Sequence, residues 1–219
     1  MDADNVQSSQ GVTLVGAGSP TRQDIDDALR YAPTLIAADG GANFCVAAEL
    51  IPSAVIGDFD SFDPEIEAAL ETSRLIRIAE QETTDFEKCL TRIKSPFVIA
   101  TGFASGRLDH TMAVWSVLAR RIGPPTVVLG DSDLVFAAPE TLHLDLPPGT
   151  RLSLFPLSPI TGRSEGLEWP IDALTLSPIG RIGTSNRVTG PVGLTFDAPG
   201  CLVITPREAL AAVLAALTG

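Results

Sequence analysis

Two carboxylates one residue apart, Asp58 and Asp60, follow a short apolar run and a glycine in Ala54-Val-Ile-Gly-Asp-Phe-Asp-Ser61. In an extended backbone, alternate side chains leave on the same side, so both acids face one way. Like charges held that close raise each other's pKa. A cation between them removes the conflict, and hard oxygen ligands favour Mg²⁺. Gly57 lets the chain turn or lets a ligand approach the backbone. The same residues also read as a solvated loop after a strand, with Asp60 or Asp63 capping the next helix.

Other residues suited to phosphate chemistry are spread along the first half. Asp39 opens Asp39-Gly-Gly-Ala-Asn43, Asp85 follows Thr84, and Asp109 precedes His110. The glycines at Gly40-Gly41 and from Gly102 to Gly106 offer backbone N–H groups to an anion. Lys88 and Arg107 supply cations for phosphate oxygens. Each has an ordinary alternative: a helix cap, a surface ion pair or a solvated helix residue. The chain lacks Gly-x-x-x-x-Gly-Lys-Ser/Thr, and Gly16-x-Gly18 lacks the third glycine of a dinucleotide fingerprint.

Alternating elements must position these groups. Val12–Gly16, Thr34–Ala38, Ala54–Gly57, Arg74–Ala79, Pro96–Thr101 and Thr126–Leu129 read as strands. Helical stretches separate them: Thr21–Tyr31, Ala42–Leu50, Pro64–Thr72, the stretch behind a capping-box pattern at Thr84-Asp-Phe-Glu87, and Leu108–Arg121. On the helix after Thr84, Phe86, Cys89, Leu90 and Ile93 share one face, while Asp85, Lys88 and Arg92 share the other. Such alternation predicts a mostly parallel sheet covered by helices, which binds ligands outside the carboxyl ends of its strands. Asp39, Asp58, Asp60, the Gly102 loop and Asp109 all come just after strands, and Asp85 begins a helix. Caps alone do not need paired acids and adjacent glycines.

Composition narrows the class. The 219 residues are 45% hydrophobic and 19% charged, in the range of a compact domain or two. A net charge of -12 argues against a nucleic-acid partner, since phosphates would meet no basic face. The three scattered cysteines, Cys45, Cys89 and Cys201, predict buried thiols in a reducing compartment. Two histidines, His110 and His143, exclude a histidine-rich metal centre. The polar, acidic first ten residues are no signal peptide and no apolar run is long enough to span a membrane, so a cytoplasmic location is expected.

After about Ala138 the pattern changes to short apolar runs at 143–146, 151–155, 193–196 and 201–204. Pro147-Pro148-Gly149, Ser158-Pro159, Ser177-Pro178 and Thr189-Gly190-Pro191 punctuate them. An α/β domain over 11–138 followed by an all-β sandwich over 139–219, closed by an Ala/Leu-rich helix from Glu208 to Leu217, is the expected organisation.

The ordered set Asp39-Gly-Gly-Ala-Asn43, Gly57-Asp-Phe-Asp-Ser61, Gln81-x-x-Thr84-Asp85-x-x-Lys88 and Gly106-Arg-x-Asp-His110 resembles thiamine pyrophosphokinases. The resemblance continues through Ser153-Leu-Phe-Pro-Leu-Ser158, Gly166-Leu-x-Trp169 and Gly183-Thr-Ser-Asn186. It implies transfer of pyrophosphate from ATP to the hydroxyl of thiamine, giving thiamine diphosphate and AMP. It implies that Asp58, Asp60 and Asp85 gather Mg²⁺ and the phosphates, with Asp109 also catalytic. Asp39, Gly40, Gly41, Asn43, Thr84, Lys88, Gly102, Arg107 and His110 would line the ATP site. Gln81, Asp109, Ser185 and Asn186 would serve thiamine. A homodimer is implied, with thiamine between one subunit's α/β rim and the other's sandwich.

Three positions depart from the family pattern. Ser105 stands for the first of two glycines before the arginine, and Val114 for an asparagine. Arg187, Val188 and Thr189 follow Ser185-Asn186 where an aromatic residue that stacks on thiamine is usual. Trp169 is an alternative stacking residue, although a place in the sandwich core is the expectation for it. Two other readings stay open: a kinase or pyrophosphokinase for a related alcohol, and a non-catalytic nucleotide- or thiamine-binding module.

Overall fold

The computed structural model describes residues 5–60 and 64–219. Residues 1–4 of the acidic N-terminal stretch, and Ser61 to Asp63 with the proposed Asp63 cap, lie outside the described residues. Backbone contacts divide the chain into two compact units. One takes Met1–Val117 with Ile122–Gly130, and the other takes Leu118–Arg121 with Asp131–Gly219.

The first unit alternates strands and helices. In order these are β1 (Val6–Gln7), β2 (Val12–Val15), α1 (Arg22–Leu29), β3 (Thr34–Ala38), α2 (Gly41–Ala47), β4 (Ala54–Gly57) and α3 (Pro64–Ala69). Then come β5 (Arg74–Arg77), α4 (Asp85–Arg92), β6 (Ile93–Lys94), β7 (Val98–Thr101), α5 (Leu108–Ala119) and β8 (Thr126–Leu129). The order β8-β7-β2-β3-β4-β5 is parallel at every pairing. β1 and β6 make a separate two-residue parallel pair that the sequence pattern is too short to show. The residues of β2, β4, β7 and β8 are all buried, as a parallel sheet with two covered faces requires.

From β2 the chain proceeds outward through β3, β4 and β5, then returns to place β7 on the other side of β2. The order therefore reverses between β2 and β7, and ligands of open α/β sheets bind at the carboxyl ends of the strands beside such a reversal. Val15, Ile25, Leu35, Ala37, Ala42, Cys45, Val55 and Leu70 form a buried cluster beneath one face. Each large apolar side chain buried there stabilises the fold by about 1.5–3 kcal/mol. Contact is close enough that a Cβ on Gly41 would sit 2.1 Å from the Val15 carbonyl oxygen, so α2 rests on β2 only with glycine at that position. Thr21 caps α1 reciprocally: its hydroxyl accepts from Asp24 N, and Asp24 Oδ2 accepts from Thr21 N at 2.9 Å.

The second unit contains β9 (Asp133–Ala137), β10 (Thr141–Leu144), β11 (Arg151–Pro156), β12 (Ile160–Leu167), β13 (Thr175–Leu176), β14 (Gly183–Phe196) and β15 (Cys201–Pro206). A single 3₁₀ turn at Arg207–Ala209 then leads into α6 (Leu210–Thr218). Its pairings are antiparallel: β9 with β15, β15 with β11, β11 with the first part of β14, and β12 and β10 on either side of the later part. Thr189-Gly190-Pro191 does not end a strand, as its composition suggests, but lies inside β14. Pro191 falls opposite a register shift in β12, where Gly166 has φ +70° and a Cβ would meet the Pro191 carbonyl at 2.1 Å. A proline that cannot donate to the ladder is accommodated by such a bulge.

The three cysteines are free and buried, and burial pushes the Cys45 and Cys201 thiols up to about 12. Among the described residues no helix is long and apolar enough to cross a membrane.

Candidate active site

A cavity of about 300 Å³ opens where the loops after β2, β3 and β7 meet the start of α4. Ala17 and Gly18 come from the first loop, Asp39 and Gly40 from the second, and Gly102, Phe103, Ser105, Gly106 and Arg107 from the third. Thr84, Asp85 and Phe86 close it from α4, and His110 and Val114 from α5. The glycines let the loops touch. Gly18 N donates to the Gly102 carbonyl at 2.8 Å, and a Cβ on Gly18 would lie 2.6 Å from that oxygen. Gly102 itself has φ +75° and a Cβ there would meet the Gly16 carbonyl at 2.5 Å. Ser105, at the position where a glycine was expected, donates its hydroxyl to the Gly18 carbonyl and ties the same two loops. Phe103 packs on Phe86, with ring centroids 4.8 Å apart.

Asp39 is buried and has φ +43°. Its Oδ1 accepts from Phe59 N at 2.9 Å, and Phe59 has φ +67°. Two non-glycine residues in the left-handed region, each costing on the order of 1–3 kcal/mol, are thus held by one hydrogen bond between neighbouring loops. Gly57 makes this possible, since a Cβ there would come within 2.7 Å of Asp39. The Asp58–Asp60 segment is consequently a turn, not a continuation of the strand. Asp60 N folds back to donate to Asp58 Oδ1 at 3.2 Å, so strand alternation does not set the direction of the two acids.

Lys88 joins the carboxylates. Its side chain is 3% exposed, with Nζ 3.3 Å from Asp85 Oδ1 and 3.9 Å from Asp58 Oδ2. The alternative reading of Lys88 as a solvated helix residue fails, since the side chain is buried and its ammonium faces carboxylates from two segments of the chain. Gln81 also donates to Asp58 Oδ2, at 2.9 Å. The Gln81 amide, the Asp60 N–H and Lys88 together hold the Asp58 carboxyl below its usual range, contrary to the rise expected from two adjacent acids. Burial pushes Asp85 up, and Lys88 opposes that shift. Thr84 caps α4 by accepting from Glu87 N at 3.3 Å.

Arg107 lies at the cavity rim and grips Asp109 side-on, with Nη2 to Oδ2 at 2.7 Å and Nε to Oδ1 at 3.2 Å. Asp109 Oδ1 also accepts from His110 N at 3.0 Å. The arginine holds the exposed Asp109 carboxyl below its usual range. A side-on grip uses two of the five guanidinium N–H bonds and leaves the terminal fork for a phosphate.

In the second unit, Ser185 has φ +62° and its N–H donates to Ser153 Oγ at 2.9 Å. Asn186 is buried, and its amide grips the backbone of Trp169 twice: Oδ1 accepts from Trp169 N at 3.1 Å and Nδ2 donates to Trp169 O at 2.6 Å. Trp169 is 53% exposed, which overturns the expectation of a core residue.

The description "Thiamin pyrophosphokinase, catalytic domain" matches residues 25–129, and "Thiamin pyrophosphokinase, vitamin B1 binding domain" matches residues 140–201. The thiamine pyrophosphokinase 3 of Oryza sativa subsp. japonica is 31% identical over 73% of this chain and 75% of its own length. The chain belongs to the thiamine pyrophosphokinase family. Thiamine pyrophosphokinase 1 of the same organism is 29% identical over 92% of this chain and 97% of its own. The fold is shared with the thiamin pyrophosphokinase from Candida albicans, with a TM-score of 0.71 at 18% identity over 93% of this chain and 92% of that one.

Against the family motifs, the structure brings Asp39, Gly40, Thr84, Asp85, Gly102, Arg107 and His110 to one cavity. Asp58, Lys88 and Gln81 form a hydrogen-bonded and ionic group with Asp85. Gly41 answers to helix packing on β2, and Asn43 lies half-buried in α2. Ser185 and Asn186 belong to the other unit. Sequence reasoning missed Ala17, Gly18 and Phe103 as cavity residues. Gly16-x-Gly18 carried a signal for the first two, whereas nothing local marks Phe103.

Proposed function

We propose that this chain performs a Mg²⁺-dependent transfer of the pyrophosphoryl group of ATP to the hydroxyl of thiamine, giving thiamine diphosphate and AMP. The observation that carries this reading is the cavity at the strand-order reversal, with Arg107 at its rim and the Asp58–Lys88–Asp85 group beside it. Phosphoryl-type transfer needs positioning and charge neutralisation more than covalent participation by the protein. ATP phosphates meet the backbone of the Gly18, Gly40 and Gly102–Gly106 loops, the free fork of Arg107, and His110. Asp109 orients Arg107 and leaves proton transfer to other groups.

The donor set fits Mg²⁺. Among the described residues no three His, Cys, Asp or Glu side chains form a metal cage. Mg²⁺ does not need one, since it is usually held by one or two carboxylates together with water and phosphate oxygens. Asp58 and Asp85 already converge on one cation, Lys88, and Asp60 adds a further exposed oxygen donor. Bound there, the metal would neutralise charge on the transferred group.

For thiamine, Trp169 offers an exposed indole on a backbone fixed by Asn186, and a cationic aromatic ring is attracted to such a face. We place Ser185 beside it in the thiamine pocket. We further propose a cytoplasmic homodimer in which two copies share the thiamine site.

The experiment that tests the metal role is Asp60→Asn. Turnover should fall on the order of 10²–10³-fold at limiting Mg²⁺, with the ligand-free melting temperature unchanged or slightly raised. Wild-type turnover at limiting Mg²⁺ would remove Asp60 from the metal site, and lowered stability with normal turnover would make it a helix cap.

A further inference from the structure

The link from β5 to α4, residues 78–84, has no regular structure yet serves the site at both ends. At its start, Ile78 N donates to the Gly57 carbonyl at 2.8 Å. In its middle, Gln81 reaches Asp58, and at its end Thr84 caps α4, which carries Asp85 and Lys88. Ile78 is buried, but Ala79, Glu80, Gln81 and Glu82 are all exposed, so packing does not hold the middle of this arc.

One side chain closes it. Glu80 Oε2 accepts from Glu82 N at 2.7 Å and from Thr83 N at 3.0 Å, and Oε1 accepts from the Thr83 hydroxyl. These three bonds span Gln81 and make the exposed segment a closed turn. The Thr83 hydroxyl foremost, with the two N–H groups, holds the Glu80 carboxyl below its usual range, so it is ionised at neutral pH. An open arc would leave Gln81 and the first turn of α4 to sample many backbone states, and each fixed residue carries an entropic cost.

We infer that Glu80 is a positioning residue for the transfer reaction: by closing the turn across Gln81 it holds Gln81 on Asp58 and sets the start of α4. This rests on the reading of Asp58 and Asp85 as working carboxylates. Glu80 acts through those groups and touches neither substrate.

Glu80→Gln and Glu80→Ala separate the turn from the charge. The glutamine amide oxygen can accept both N–H groups and its NH₂ can donate to the Thr83 hydroxyl, so the turn survives without the charge. Glu80→Gln should keep kcat/KM within about 3-fold of wild type. Glu80→Ala should lose about 10-fold, as modest misplacement of catalytic groups does. In a Gln81→Ala background the further loss from Glu80→Ala should shrink.

Backbone amide exchange supplies a readout independent of turnover. In ligand-free protein, Glu82 and Thr83 should be protected in wild type and Glu80→Gln, and exchange fast in Glu80→Ala. Wild-type kcat/KM in Glu80→Ala would overturn the proposal. So would a Glu80→Gln that loses activity while its amides stay protected, because Glu80 would then act by charge. If wild type itself does not turn over thiamine, the functional reading fails, and the exchange data still judge the turn.

Discussion

The ammonium of Lys88 stands 3.3 Å from Asp85 Oδ1, one turn back on the same helix, and is almost wholly buried there. It also faces Asp58. Lys88→Met therefore leaves two carboxylates without their cation. Because Asp85 is 38% exposed, solvent screens part of the cost, and a loss of about 1–2 kcal/mol at pH 7 is expected. Removing Lys88 pushes the already raised Asp85 pKa further up, so Asp85 takes a proton sooner on acidification and the deficit relative to wild type narrows as pH falls. Urea unfolding of both ligand-free proteins across pH checks this, and a deficit independent of pH would show that Lys88 acts by packing alone.

Asp58 and Asp85 should titrate in opposite directions from the ordinary aspartate value of about 3.9. Asp58 is lowered, first by the Gln81 amide, and Asp85 is raised, first by burial. The stability from Asp58 is present above its unfolded pKa and disappears as pH falls through its lower folded pKa. For Asp85 the sign reverses: its folded form favours the proton, and its ionisation costs stability as pH rises through the folded value. Carboxyl ¹³C titration of ligand-free protein should place Asp85 above Asp58, and Gln81→Ala should move Asp58 upward. Coincident midpoints would contradict the hydrogen-bond assignment.

Arg107→Ala should raise the KM for ATP by about 10-fold or more, the loss of a charge-assisted phosphate contact. Asp109→Ala should raise it by about 3-fold with little change in turnover, since an exposed pair organises its partner weakly. The double variant should resemble Arg107→Ala. If Asp109→Ala instead slowed turnover by about 100-fold or more at unchanged KM, the scale of a lost general acid or base, Asp109 would return to the catalytic role that the sequence motif implies.

Asn186→Ala strips two hydrogen bonds from the Trp169 backbone and should cost about 1–3 kcal/mol. Trp169→Ala should leave stability nearly unchanged and raise the KM for thiamine. In a Trp115→Phe background, thiamine should quench the remaining Trp169 fluorescence. Absence of quenching at saturating thiamine would exclude Trp169 from the pocket.

The sequence was legible where periodicity decides the matter. Alternation of apolar runs and helices placed Asp39 after β3, Asp58 after β4 and Gly102 after β7, because parallel strands bury both faces and expose only their ends. It failed where a distant partner decides. Phe59 is left-handed because Asp39, 20 residues earlier, accepts its N–H. The helical pattern of α4 sends Lys88 toward solvent, yet the side chain is buried with its ammonium facing Asp58 from a different loop. Trp169 looks like core by composition, but Asn186 ties down its backbone and leaves the indole out. β12 escaped notice because only its two end residues, Ile160 and Leu167, are buried, so its sequence lacks an apolar signature.

The most direct test of the functional account is the product balance of the purified chain with ATP, Mg²⁺ and thiamine, reading nucleotide and thiamine products together. Attack by the thiamine hydroxyl on the β-phosphorus breaks its bond to the α–β bridging oxygen and releases AMP. The account predicts AMP and thiamine diphosphate in equal amounts. Stoichiometric ADP with thiamine monophosphate would contradict it and favour a simple kinase, and binding of ATP and thiamine without turnover would reduce the chain to a binding module.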